Sequence, residues 1–198
     1  MGETGTAPSS ERARHAGRLF SGLGPGYDRM GAILSFGQDA RWRRFLVSQI
    51  GPTRPLVLDV ATGTGLVARE IVDAGIGRVV GLDRSEPMLR SRSNGAAFAN
   101  VLGRAEALPF PDASFDALTV TYLFRYVDDP GATLGELARV VRPGGVVAFH
   151  DIVDYKQIPE IQVSKFWNIL EGDKEEIVAY PPTECGIGVL RIPERMAV

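Results

Sequence analysis

Residues Leu56–Glu70 read LVLDVATGTGLVARE. An apolar, β-branched run holds Asp59, passes through Gly63-Thr64-Gly65, and enters an amphipathic helical pattern. This is a strand, a loop and a helix. Glycine in such a loop lets the backbone turn sharply and approach a ligand closely. The loop N–H groups and the helix N-terminus then face whatever is bound.

The spacing alone admits two ligand classes. Gly63, Gly65 and Ala68 satisfy the G-x-G-x-x-A pattern of dinucleotide sites. Asp83, closing the next strand, can hold ribose hydroxyls in either class. Asp59, four residues before Gly63, tips the balance. A carboxylate near the loop suits a ligand with an ammonium and a sulfonium, such as S-adenosylmethionine, better than one with a pyrophosphate. A buried acid satisfied by backbone N–H groups is the plainer reading of Asp59, and both can hold.

Outward from this loop, apolar runs alternate with helical patterns, which predicts an α/β fold with a mostly parallel sheet. Asp39–Ile50 carries Trp42, Phe45, Leu46 and Ile50 at helical spacing, and Gly51-Pro52 ends it. The central strand is Leu56–Val60, the helix Leu66–Ala74, and Gly75 its stop. Arg78–Leu82 is the second strand; Ser85 caps a helix with Pro87 and Met88 in its first turn. Val101–Gly103 and Phe115–Thr121 follow as strands, then a helix over Pro130–Val141. Pro143-Gly144-Gly145 reads as a turn before a strand over Val146–Val153. In the tail, Val163–Leu170 reads as a short helix, Gly186–Ile192 as a strand, and AYPPTE between them as irregular.

The bulk numbers bound the function. The 198 residues suffice for a full core, and 44% hydrophobic with 23% charged residues is a soluble globular composition. A net charge of −2 offers nucleic acid no general attraction; the basic run Arg41, Arg43 and Arg44 reads as a solvated helix face. Cys185 is the only cysteine, so no internal disulfide forms, and an inert thiol is the expectation. There is no apolar run of membrane-spanning length and no secretory signal; the cytoplasm is the expected compartment. No metal site is assigned.

Four ordered segments now combine: LDVATGTG, GLDRSEPML, RAEALPFPDASFDALTV (Arg104–Val120) and ELARVVRPGGVVAF (Glu136–Phe149). Together they resemble the successive motifs of class I S-adenosylmethionine-dependent methyltransferases. The upstream YDRMGAILSFGQDARWRRFLV (Tyr27–Val47) narrows this. With Tyr27, Asp28, Met30, Ser35, Gly37, Trp42 and Arg43, it resembles the N-terminal signature of the ubiquinone/menaquinone biosynthesis C-methyltransferases. Ser114-Phe115-Asp116 and Arg125 in YLFRYVDDP match further elements. The resemblance runs from about Ala16 to Asp151.

The resemblance implies a Rossmann-like fold with helices on both faces of the sheet, from which the C-terminal tail departs as atypical. It divides the chain into a flexible leader (1–16), a helical cap over the cofactor (17–50), a cofactor-binding core (51–153) and the tail (154–198). It implies S-adenosylmethionine as cofactor and S-adenosylhomocysteine as product. The cofactor residues carried over are Tyr27, Asp59, Thr62, Gly63, Thr64, Gly65, Asp83, Met88, Arg104, Ala105 and Thr121. Asp83 would meet the ribose, Met88 the adenine face, Arg104 and Ala105 its edge, and Thr121 the methionine moiety.

The implied acceptor is a small molecule, a lipophilic quinol methylated on a ring carbon in menaquinone or ubiquinone biosynthesis. Membrane contact would be peripheral at most, and a homodimer is left open. Leu19, Phe20, Met30, Ile33, Leu34 and Phe36 would line an apolar entrance or serve as core. Several positions depart from the family: Gly31 for Asn, Arg104 for Asp or Asn, and Tyr126 for Asn. Arg104 has donors only, so the Ala105 N–H or Glu106 would have to hold the adenine. The tail does not resemble the family's usual sheet-completing end. No catalytic base is assigned; His150, beside Asp151, is the candidate, with a strand-end hydrogen bond as the plainer reading. His15 lies in the leader. Three alternatives stand: a methyltransferase acting on another small molecule, a cofactor-binding protein without turnover, and a Rossmann dehydrogenase.

Overall fold

In Leu56–Val60 (β1), Val57, Leu58, Asp59 and Val60 are all buried, as expected for a strand covered on both faces. A computed structural model describes residues 38–50, 55–91, 98–150, 167–168, 172–178 and 186–194. Parallel to β1 run Arg78–Asp83 (β2) on one side and Phe115–Val120 (β4) on the other. Ala99–Leu102 (β3) extends the sheet beyond β2, and Val141–His150 (β5) beyond β4. The tail adds Asp173–Val178 (β6) and Gly186–Arg191 (β7), giving the order β3-β2-β1-β4-β5-β7-β6. The strand order reverses between β1 and β4. In open parallel sheets that switch point is where ligands bind, beyond the C-terminal strand ends.

Side chains alternate between two cores. Leu58, Val60, Leu118, Val120, Val147 and Phe149 pack with Leu134, Leu137 and Val140 of the helix Pro130–Val140 (α4). Val57, Ala117, Val146 and Ala148 face the helices Gln38–Ser48 (α1) and Leu66–Asp73 (α2) instead. The short helix Glu86–Arg90 (α3) follows β2, and the Oγ of its cap Ser85 accepts from the Met88 N–H at 3.4 Å. Asp129 caps α4 in the same way, through the Ala132 N–H at 2.9 Å. Helices on both faces of a mostly parallel sheet are the expected architecture.

Three details differ from the sequence reading. Phe45 is exposed; Val47 takes its place in the core, because α1 buries positions 42, 46 and 47, with Ile50 buried in the turn that follows. The Pro143-Gly144-Gly145 turn is absorbed into β5 as a bulge, its pairing jumping from Phe115↔Val141 to Ala117↔Val146. The Gly144 N–H donates to the Ile192 carbonyl and the Ile192 N–H to the Gly145 carbonyl, both at 2.9 Å, so the segment is tied to the tail.

The third difference corrects the atypical tail: it completes the sheet. β7 pairs antiparallel with β5, and β6 with β7. β6 escaped the sequence reading because DKEEIV is rich in charge, a composition suited to a sheet edge. Of the predicted helix at Val163–Leu170, only residues 167–168 are described, and they are helical. Trp167 packs on Phe149 with ring centroids 5.7 Å apart. Tyr27, His15, Cys185, AYPPTE and the six residues of the apolar entrance lie outside the described residues.

Candidate active site

The loop after β1 lies beside the switch point. Ala61, Gly63 and Gly65 all have positive φ, at 56°, 57° and 85°. At Gly65 a Cβ would also come within 2.7 Å of the Phe98 ring, so glycine is needed there on two counts. The Thr62 N–H donates to the Leu82 carbonyl at 3.0 Å and the Gly65 N–H to the Thr62 carbonyl at 2.8 Å. These bonds fix the loop against β2.

Asp59 lies beneath it, 1% exposed. Its two oxygens accept from the Thr62 Oγ1 at 2.6 Å and the Thr119 Oγ1 at 2.7 Å. Burial raises its pKa to about 6, against the opposing effect of those hydroxyls and the Ala68 backbone; the charge of Asp83 raises it further. Two side-chain hydroxyls thus join the expected backbone donation, here from Ala68, in satisfying Asp59. Thr119 stands opposite Asp59 in the β1–β4 register, a partner that no local pattern reveals.

Asp83 reaches across from β2. Its Oδ2 accepts from the Gly63 N–H and its Oδ1 from the Ser85 N–H, both at 2.8 Å. Burial raises its pKa, opposed by those backbone bonds. Met88 is buried with its terminal methyl 3.4 Å from where a Gly63 side chain would begin. The Gly103 N–H donates to the Asp83 carbonyl at 2.9 Å, which brings Arg104 and the buried Ala105 to the same end of the sheet. The Arg104 guanidinium pairs with Glu106 at 3.5 Å. Asp59, Thr62, Gly63, Asp83, Met88 and the 104–105 pair are therefore drawn around one loop. Thr64 is buried beside them, and Thr121 is half-buried, immediately after β4.

Two features escaped the sequence reading. Asn100, in register with Gly81 on β3, buries its Oδ1 without a hydrogen-bond partner among the described residues. The other is the clamp on the segment after Arg104. Arg139 donates to the Phe110 carbonyl at 2.9 Å, the Leu108 carbonyl at 3.3 Å and the Asp112 Oδ1 at 2.7 Å. Glu136 holds Arg139 from Nε at 2.8 Å and accepts from the Leu108 N–H at 2.7 Å. Thus ELAR on α4 fixes ALPFPD from a distance.

The arrangement disfavours a pyrophosphate. The Gly63 N–H is committed to a carboxylate, and two buried acids, Asp59 and Asp83, lie at the loop. It suits a ligand with ribose hydroxyls and positive charge.

The ubiE/COQ5 methyltransferase family matches residues 9–167. The chain belongs to that family. It is 40% identical over 141 residues to a demethylmenaquinone methyltransferase of Renibacterium salmoninarum, covering 70% of this chain and 59% of that one. A ubiquinone/menaquinone biosynthesis C-methyltransferase UbiE of Roseobacter denitrificans is 34% identical over 173 residues, 83% of this chain and 68% of its own. A crystal structure of a SAM-dependent methyltransferase from Aquifex aeolicus superimposes with a TM-score of 0.60. That match covers 76% of this chain and 89% of the other, and at 20% identity it speaks for the fold alone. The chain spans about six-tenths of the length of the demethylmenaquinone methyltransferases it matches.

The family and fold imply S-adenosylmethionine as cofactor, and the residues present fit it. The Asp83 carboxylate accepts from the Gly63, Ser85 and Arg84 backbone N–H groups, and with about four acceptor positions it keeps room for a ribose hydroxyl. The glycines leave the loop open to close approach, and buried Met88 gives it an apolar flank.

Proposed function

We propose that the chain is an S-adenosylmethionine-dependent methyltransferase that methylates a ring carbon of a quinol-type small molecule. The observation that carries the reading is the Asp83–Gly63 bond. It places the ribose-binding acid at the glycine loop, and the second buried acid, Asp59, beneath that loop favours a nucleoside with cationic over anionic substituents. The names of the relatives supply the acceptor: demethylmenaquinone and ubiquinone/menaquinone biosynthesis.

When bound, the cofactor supplies an electrophilic methyl group on a sulfonium. Asp83 accepts from the ribose hydroxyls, and Met88 and Ala105 bound the adenine. Gly63, Thr64 and Gly65 receive the remainder of the nucleoside, with Thr121 beside the methionine portion. Asp59 and Thr62 act from beneath, keeping the loop in shape and adding negative potential. Tyr27 and Arg104 complete the set expected from the sequence, Tyr27 as part of a cap. The chain's contribution is then alignment of the reactants and exclusion of water. The acceptor is lipophilic, contact with a membrane is peripheral at most, and the compartment is the cytoplasm. No helix among the described residues is long and apolar enough to cross a membrane.

Calorimetry with S-adenosylhomocysteine tests the reading. Binding in the micromolar range, about −8 kcal/mol, is expected, with Asp83→Ala abolishing the heat. An absence of binding to the wild type, or saturable binding of NADH in a fluorescence titration, would refute it. An acceptor screen with radiolabelled cofactor then separates quinols from other small molecules and from binding without turnover.

A further inference from the structure

β4 and β5 pair as far as Val120↔Phe149. His150, the last residue of β5 and still paired with Ile187 of β7, therefore lies beside Thr121-Tyr122, which follow β4, at the end that carries the Gly63 loop and Asp83. His150 is 3% exposed, and neither Nδ1 nor Nε2 has a hydrogen-bond partner among the described residues. The Trp42 ring stacks on it at 3.8 Å and 22°. Tyr122 meets it edge-on, with centroids 5.0 Å apart and planes at 74°. Tyr122 is the exposed member of the group, on a backbone held at φ 60°.

Two cations flank these rings: the Arg125 guanidinium lies 5.1 Å over Tyr122 and that of Arg43 5.7 Å over Trp42. Burial first, then Arg125 and Arg43, push the imidazole pKa down to about 3. The ring is neutral at ordinary pH, with one N–H donor and one lone-pair acceptor. Such a group with no partner is costly, and an apolar side chain would fill the same space without that cost.

We propose that His150 is the acceptor-recognition residue, its unprotonated nitrogen receiving a hydrogen bond from a hydroxyl on a planar aromatic ring that enters past Tyr122. The proposal rests on the methyltransferase reading above and adds to it a specific contact. The ring is recognised by apposition to Tyr122 and Trp42, the hydroxyl by the imidazole. The positive charge of Arg125 favours negative charge building on the hydroxyl oxygen. An acceptor without the hydroxyl would leave the imidazole as it is now, unbonded, so the site discriminates on that group.

The test uses the full chain with 1-naphthol and naphthalene as probes, read by quenching of tryptophan emission, and S-adenosylhomocysteine binding read separately by calorimetry. The wild type should prefer naphthol by roughly tenfold, the worth of one net hydrogen bond. His150→Leu should abolish that preference with cofactor affinity unchanged, and His150→Gln, which keeps an acceptor, should recover part of it. A His150→Leu protein that retains the preference overturns the proposal, as does a wild type that binds neither probe.

If His150→Leu gives no native circular dichroism spectrum, the wild-type imidazole decides. Naphthol should shift the 15N resonance of its unprotonated nitrogen and naphthalene should not; equal responses overturn the proposal. A wild type that ignores the cofactor but discriminates naphthol through His150 would refute the methyltransferase reading and leave this contact standing.

Discussion

Replacing His150 with leucine should change how stability depends on pH, and the structure fixes the sign. The folded-state pKa of His150 is depressed to about 3 from 6.5. Between those values the unfolded chain binds the extra proton. This contribution to stability is therefore complete above about pH 6.5 and is lost as the pH falls toward 3. At about 1.4 kcal/mol per pKa unit, moving from pH 7 to pH 5 removes about 2 kcal/mol.

Asp59 acts the other way. Its folded pKa is raised to about 6 from 3.8, so in that window the folded state holds the extra proton. Stability from this group rises as the pH falls, by about 1 kcal/mol over the same interval. His150→Leu keeps the Asp59 effect and every other carboxylate, and removes only the imidazole.

The variant should be more stable at pH 7 by about 1–3 kcal/mol, because two desolvated nitrogens without partners are gone. The gap should widen by about 2 kcal/mol at pH 5. Urea unfolding at pH 7, 6 and 5, with m unchanged, measures both. Parallel pH profiles for wild type and variant would refute a buried neutral His150. A variant less stable than wild type at pH 7 would mean that the imidazole is bonded in solution.

Other perturbations follow from the same geometry. Gly65→Ala meets both a positive φ and the Phe98 ring, so it should cost about 2–4 kcal/mol in thermal unfolding and weaken S-adenosylhomocysteine binding in calorimetry. Thr119→Val removes one of the two hydroxyls on Asp59 and should cost about 1–3 kcal/mol by urea unfolding; in an Asp59→Asn background the cost should shrink. Arg139→Met releases two carbonyls and two carboxylates around the 108–112 segment and should lower Tm clearly. Arg90→Met breaks one exposed i, i+4 pair and should leave Tm unchanged within error; equal effects of the two would mean that the clamp contributes nothing.

Much of the loop is legible in LVLDVATGTG because the signals are local. A strand buried on both faces needs a continuous apolar run, and a loop with positive φ at positions 63 and 65 needs glycine. The cap at Ser85 and the stop at Gly75 are equally local. His150 is visible as a candidate from its place at a strand end, yet its partners are not: Trp42 is more than a hundred residues away in sequence. The role of Asp59 is half legible. A carboxylate beside a glycine loop can be read, but whether it faces a ligand or braces the turn depends on Thr119, which lies 60 residues further on. β6 is hidden because a charged edge strand carries no apolar alternation to betray it.

The amino-acid sequence on its own determined the order of elements, the glycine loop, the two acids near it and the family resemblance, since each depends on neighbours within one element or on a run of motifs. Folding alone decided which backbone N–H the Asp83 carboxylate takes, which hydroxyls neutralise the burial of Asp59, and that the tail returns as two antiparallel strands. Those choices follow from strand register. A one-residue slip moves every side chain to the opposite face of the sheet, so partners from different strands are set only when the whole sheet is assembled.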